Sequence, residues 1–220
     1  NTYNDSWPDI SVTYSYPTIS ACGGTVNPTF SVSQGKGTRT WGCDAGTEPL
    51  TAPTLSYSFS MKTGNGFSID TTNGKMTCAA RGKYDRSRTS NTATVTVTGG
   101  GGGKTATKTA TATQSGNTYN DSWPDISVTY SYPNISACGG TSTPNVSVSQ
   151  GDGTRTWGCS AGTDPLTAPT LSISYSLPTP NGFTINSSTG VITAPGPQGP
   201  TTSPRSCTAK VSVTGGGGGK

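Results

Sequence analysis

Histidine is absent from this chain of 220 residues, and only ten side chains are acidic. Most acid–base and metal-site designs therefore lack parts. No run of about 18 apolar residues occurs, so no stretch reads as a membrane-spanning helix. Only 29% of residues are hydrophobic and 11% charged. Low apolar content often goes with disorder, but disordered chains usually carry a high net charge, and this one carries +4. The positive charge is spread out. Its one cluster, Arg81–Arg88, has no counterpart in the second half, which argues against a nucleic-acid partner. The first residue is asparagine rather than methionine, so any signal peptide or anchor is expected to have been removed or to lie outside this sequence.

What is present is repetition. NTYNDSWPDISVTYSYP at Asn1–Pro17 returns almost unchanged at Asn117–Pro133. SVSQGKGTRTWGC at Ser31–Cys43 answers SVSQGDGTRTWGC at Ser147–Cys159, and VTVTGGGGGK at Val95–Lys104 answers VSVTGGGGGK at Val211–Lys220. Self-similarity at a fixed period marks a repeat architecture, and a period near 116 residues fits one small domain. The expected domains are residues 1–116, with a closing strand or linker at 99–116, and residues 117–220. The second copy lacks the Thr105–Gly116 tail of the first, which reads as a window cut from a longer array.

Within each copy the pattern is β. Ile10, Val12, Tyr14 and Tyr16 alternate with Ser and Thr, the period of a half-buried strand. Phe30 and Val32 begin a second strand, Gly35–Gly37 turns, and Thr38–Gly42 returns, which reads as a hairpin. Leu55, Tyr57, Phe59 and Met61 alternate with serines, as do Leu171, Ile173, Tyr175 and Leu177. Phe67 and Ile69 follow, the Asn73–Gly74 pair turns the chain, and Met76 continues. Ala93, Val95 and Val97 alternate with threonines. Thr105, Thr107, Thr109, Thr111 and Thr113 alternate with Ala or Lys in a last, weakly apolar strand. Seven or eight short strands per copy, without a helix-period stretch, predict an all-β chain of two tandem immunoglobulin-like β-sandwich domains.

NGFSIDTTNGKMT (Asn65–Thr77) and its twin NGFTINSSTGVIT (Asn181–Thr193) carry a resemblance. The pattern is similar to that of the immunoglobulin-like and cadherin-like repeats of bacterial and phage surface proteins. It covers about a dozen residues per copy. The ATATQ ending at Ala110–Gln114 also resembles, on five residues, the closing strand of Bacteroidetes-associated BACON sandwiches. The resemblance implies a β-sandwich used as a spacer or adhesive unit on a bacterial cell surface or phage virion, hence extracellular.

Each copy has three cysteines: Cys22, Cys43 and Cys78, then Cys138, Cys159 and Cys207. The third moves between copies while keeping inward parity, on strands that are neighbours in sequence and could pair antiparallel. One pairing joins the moving cysteine to Cys22/Cys138 or Cys43/Cys159. The other joins Cys22 to Cys43 and Cys138 to Cys159. Sequence does not choose between them. Without histidine or a CxxC pair, a zinc site is not expected, and cysteines in such Ser/Thr-rich modules point to an oxidising setting.

GGGGGKT at Gly99–Thr105 is not a phosphate loop. Thr98 stands where the motif needs glycine, and a strand pattern follows where it needs a helix. A flexible or bulged strand connection is expected instead, and no cofactor is. Asp5, Asp9, Asp44 and Glu48, with Asp121, Asp125 and Asp164, could ligate Ca²⁺, against the plainer reading of solvated loop carboxylates. Trp41 and Trp157, near cysteines, are expected in the core. Trp7 and Trp123, with Tyr3 and Tyr119, lie before the first strand and are candidates for contact with a glycan or a neighbouring module. Asn4, Asn120, Asn134, Asn145 and Asn186 head Asn-x-Ser triplets, which matter only in a glycosylating host. Thr105–Thr113 is a candidate for strand addition, through which modules self-associate. Two function classes follow: a non-catalytic structural or adhesive repeat, or a carbohydrate-binding module of a larger secreted protein. No enzyme is expected.

Overall fold

Alternation of Ser or Thr with Val, Tyr and Phe puts one apolar row on each strand, and burying those rows organises the chain. The computed structural model describes residues 2–43, 46–62, 64–159, 162–196 and 204–220. Two units result: Asn1–Tyr119 with Trp157–Ala161, and Asn120–Thr156 with Gly162–Lys220. The described residues are all-β, apart from two short 3-10 turns at Gly101–Gly103 and Gly217–Gly219.

The strands of the first copy run β1 (Tyr3–Ser6), β2 (Ser11–Ser15), β3 (Gly24–Val26), β4 (Thr29–Ser33), β5 (Thr38–Trp41), β6 (Thr47–Pro49), β7 (Ser56–Met61), β8 (Phe67–Ile69), β9 (Met76–Cys78), β10 (Thr89–Thr98) and β11 (Ala106–Gln114). One layer has the order β3-β9-β8. Its chain continues past Asn27–Pro28, where proline has no N–H for a ladder, into β4, which pairs β2. The facing layer has the order β7-β10-β11. Its outer edge is capped by a parallel bridge, with Ile19 N–H donating to Thr113 O (2.8 Å) and Ser115 N–H to Ile19 O (3.0 Å). The chain thus crosses from one sheet to the other between β2 and Ile19, the arrangement of an immunoglobulin-like sandwich.

Between the layers lie Tyr14, Ile19, Phe59, Phe67, Met76, Cys78, Ala93, Val95 and Val97, all buried. Outward, hydroxyls pair across strands: Thr13 with Ser31 (2.5 Å), Thr25 with Thr77 (2.7 Å) and Thr92 with Thr111 (3.3 Å). Tyr57 departs from the expected inward row. It lies 47% exposed at a strand end, with its ring resting on Phe30 at 4.8 Å.

Two expectations are corrected. β4 and β5 do not form a hairpin, because β4 pairs β2 while β5 pairs β1 and β6 in a separate small sheet. β1, with the sequence YNDS, has no apolar row and so gave no strand signal. Met76–Cys78 and Thr89–Thr98 do not pair with each other either. They belong to opposite layers and meet across the core.

The second copy repeats this order with β12 (Tyr119–Ser122), β13 (Ser127–Ser131), β14 (Gly140–Ser142), β15 (Asn145–Ser149), β16 (Gly153–Trp157), β17 (Thr163–Leu166), β18 (Ser172–Thr179), β19 (Thr184–Ile185), β20 (Ile192–Ala194) and β21 (Thr208–Thr214). Its sheets are β14-β20-β19, β13-β15, β18-β21 and the small sheet β12-β16-β17. Among the described residues no strand pairs the outer edge of β21, where the first copy has β11 on β10.

Candidate functional site

Three places deserve weight as sites: the small sheet, the glycine-rich turn and the open edge of β21.

On the small sheet, antiparallel register sets Tyr3 opposite Trp41 and Asp5 opposite Arg39. The Arg39 guanidinium donates to both Asp5 oxygens at 2.7 and 2.8 Å, a bidentate pair. Its Cζ sits 3.9 Å from the centre of the Tyr3 ring, and Tyr3 meets Trp41 edge-on at 5.5 Å. The second copy repeats the pair, with Arg155 donating to Asp121 at 2.6 and 2.7 Å. Trp41 is partly exposed, so it belongs to this sheet rather than to the sandwich core. Trp157 is 7% exposed, but it is covered by Tyr84 and Tyr119, each at 5.3 Å. Tyr3 is 56% exposed and Tyr119 37%.

The acidic candidates for calcium are engaged by cations. Besides Asp5 and Asp121, Asp9 takes Lys104 Nζ at 2.6 Å and Asp125 takes Lys220. Glu48 lies opposite Arg39, and Asp164 opposite Arg155. Asp44 lies outside the described residues. The hydrogen bond from Arg39 holds the Asp5 carboxyl below its usual range, and that from Lys104 does the same for Asp9. Arg155 and Lys220 act likewise on Asp121 and Asp125. A carboxyl with a depressed folded-state pKa stabilises the fold above its unfolded pKa, and that contribution is lost as pH falls through the folded value. Asp5→Asn together with Asp121→Asn is therefore expected to flatten the acid limb of a melting-temperature profile against pH. An unchanged limb would show that these pairs do not couple to folding.

Trp7 is partly exposed and packs its ring against the glycine-rich turn. The backbones of Gly37 and Gly101 both lie against its ring, so a Cβ at either would collide with it. The glycine run is a fixed turn. Gly101 N–H donates to Gln34 Oε1 (2.8 Å), while Gln34 Nε2 donates to Pro8 O (2.8 Å). Gly99, Gly102 and Gly103 have positive φ, and Gly100 and Gly101 have no room for a Cβ. All five positions thus call for glycine. Trp123, Gln150 and Gly215–Gly219 repeat the device, with Gly217 N–H donating to Gln150 Oε1 at 2.8 Å.

Cys22 forms a disulfide with Cys159, both within the first unit. This replaces both expected pairings. Cys22 sits in the turn closed by Gly23 N–H to Ser20 O, whereas Cys78 lies inside the core. Cys43 and Cys138 are free and exposed, Cys78 free and buried, and Cys207 free and half-buried. Burial pushes the Cys78 and Cys207 thiols up. A bond spanning 137 residues leaves no local trace in sequence.

At the third place, β11 of the first copy pairs β10 from Thr89↔Gln114 to Val97↔Ala106. Behind it Ala93, Val95 and Val97 are fully covered, at 0% exposure. Their counterparts Ala209, Val211 and Val213 stay partly exposed. Beside β21 the second unit has a groove of about 920 Å³, lined among others by Tyr130, Ile135, Ile192, Cys207 and Ala209.

No family model matches the chain, and no curated protein does. Among solved structures it is similar to protocadherin gamma B2 extracellular cadherin domains 3–6, at 15% identity and TM-score 0.28, covering 97% of this chain and 49% of that one. It is also similar to Drosophila N-cadherin EC1–4, at 11% identity and TM-score 0.26, covering 94% and 48%. The protocadherin GammaB4 extracellular domain gives 14% identity and TM-score 0.25, covering 98% and 32%. The chain spans about half or less of the length of these structures. Likeness this distant carries no argument about activity.

Proposed function

We propose that the chain is a non-catalytic structural or adhesive repeat of an extracellular assembly, such as a surface fibre, a bacterial adhesin or a phage virion decoration. Residues 1–116 and 117–220 act as its two repeating modules. The observation that carries this reading is how the duplicated residues are spent. Asp5, Arg39, Trp7, Gln34, Lys104 and the five glycines all bond or pack against one another within the module. Copying them copies a frame. A carboxylate held by a guanidinium is a poor general base and a poor metal ligand, because a second cation must displace the first. The disulfide fits an oxidising, extracellular setting.

The test is replacement in the protein that carries these modules. Deleting residues 1–220 is expected to weaken attachment of the cell or particle. An unrelated pair of sandwiches of equal length restores attachment if the modules act as spacers, and fails to restore it if their own surface adheres. Attachment unchanged by the deletion would sink the reading.

A carbohydrate-binding role is the second reading, and one observation favours it. Tyr3 is more than half exposed beside Trp41 and a polar Asp5–Arg39 pair, an aromatic and polar combination of the kind that binds sugars. A glycan array with Tyr3→Ala and Trp41→Ala as controls decides this. Trp7→Ala is unsuitable as a control, since that ring is part of the frame.

A further inference from the structure

The groove beside β21 has an internal template, because the first copy shows what fills the same place. There β11 runs antiparallel to β10 and ends beside Ile19 in a parallel bridge. Ala112 and Gln114 are buried, at 0% and 3% exposure. The Gln114 side chain is the anchor. Its Nε2 donates to Ala79 O at 2.8 Å and lies within 3.3 Å of Ser20 O and 3.5 Å of Ala21 O.

At the repeat offset, those acceptors become Pro195, Ser136 and Ala137, and Ile19 becomes Ile135. All four line the groove. The second unit therefore keeps the carbonyls that receive the glutamine, the backbone that bridges to the end of the strand, and the apolar residues that the strand would cover. A sheet edge with unpaired N–H and C=O groups is a template for another strand, and alternate side-chain pockets set its sequence.

We propose that this groove binds one extended strand of the pattern Ala-x-Ala-x-Gln, supplied by a segment of the Ala106–Gln114 type. This rests on the reading of the chain as an assembling extracellular repeat and names the contact through which it assembles. The strand runs antiparallel to β21. Its glutamine stands opposite Arg205, its alanines opposite Cys207 and Ala209, and a third alanine opposite Val213, as the first copy's register dictates. Small side chains are required, because Ala112 has no exposed surface in its own seat. The glutamine supplies the hydrogen bonds that make the register unique.

The experiment uses the full 220-residue chain and a synthetic peptide of residues 104–115, followed by amide hydrogen exchange. Saturable binding is expected to slow exchange along β21, at Val211 and Val213, and to leave Val95 and Val97 unchanged. A peptide carrying Gln114→Ala is expected to bind at least tenfold more weakly, because it leaves buried carbonyls without their donor. A peptide carrying Ala112→Asp is expected not to bind. The proposal is overturned if β21 exchange ignores the peptide while the chain is folded by circular dichroism. It is equally overturned if a scrambled peptide binds as well, or if protection changes in β10 rather than β21. None of these results bears on the deletion and replacement experiment, so the spacer reading stands or falls separately.

Discussion

Phe59→Ala is expected to destabilise the first unit by about 3–5 kcal/mol, the range for deleting a buried aromatic ring. Phe59 is 2% exposed. Its ring meets Tyr14 at 5.6 Å, Phe30 at 5.2 Å and Tyr57 at 5.8 Å. On another side Gly74 brings its backbone against the ring, and a Cβ there would stand 2.8 Å from it. The cavity is thus bounded by rings and by backbone, which collapse poorly. Domains of this size have about 5–15 kcal/mol in total, so one substitution removes a large part. Urea unfolding measures it, and a loss below about 1 kcal/mol would show that this cluster is not the core.

Trp7→Ala and Gly101→Ala form the second test, read as a cycle. Gly101→Ala is expected to cost about 1–3 kcal/mol through overpacking, since its Cβ would enter the indole ring. Gly101 is not among the glycines with positive φ, so its backbone accepts alanine and the collision is the whole cost. Trp7→Ala is expected to cost about 2 kcal/mol, less than for a fully buried tryptophan because the ring is partly exposed. In the double variant the obstacle is gone, so Gly101→Ala becomes nearly neutral. The coupling is then about 1–3 kcal/mol, above the additivity limit of distant sites. Additive effects would mean that the ring and the turn do not touch.

Much of the fold was legible because alternation survives in a chain so poor in apolar residues. The rows of Val12 and Tyr14, Phe59 and Met61, and Val95 and Val97 each predicted a strand, and each is one. Inward parity placed Cys78 and Val95 correctly, although their strands, read as able to pair, lie in different sheets. β1 escaped notice because YNDS is held by a cross-strand ion pair and an aromatic contact rather than by burial, and periodicity measures burial only. The glycine turn was misread for a related reason. A run of five glycines reads as loose chain, and what fixes it is a tryptophan more than 90 residues earlier. A usable signal did exist, since Trp7, Gln34 and the glycines all recur together in the second copy. The Cys22–Cys159 bond had no such signal, because its geometry is set by folded surfaces rather than by spacing.

The hydroxyl pairs on the outward faces of the sheets have a consequence of their own. Thr13 with Ser31, Thr25 with Thr77 and Thr92 with Thr111 satisfy each other without charge. Dissolved ions screen charges and leave neutral dipoles almost untouched. Those faces therefore present the same wettable coat in rainwater as in brine.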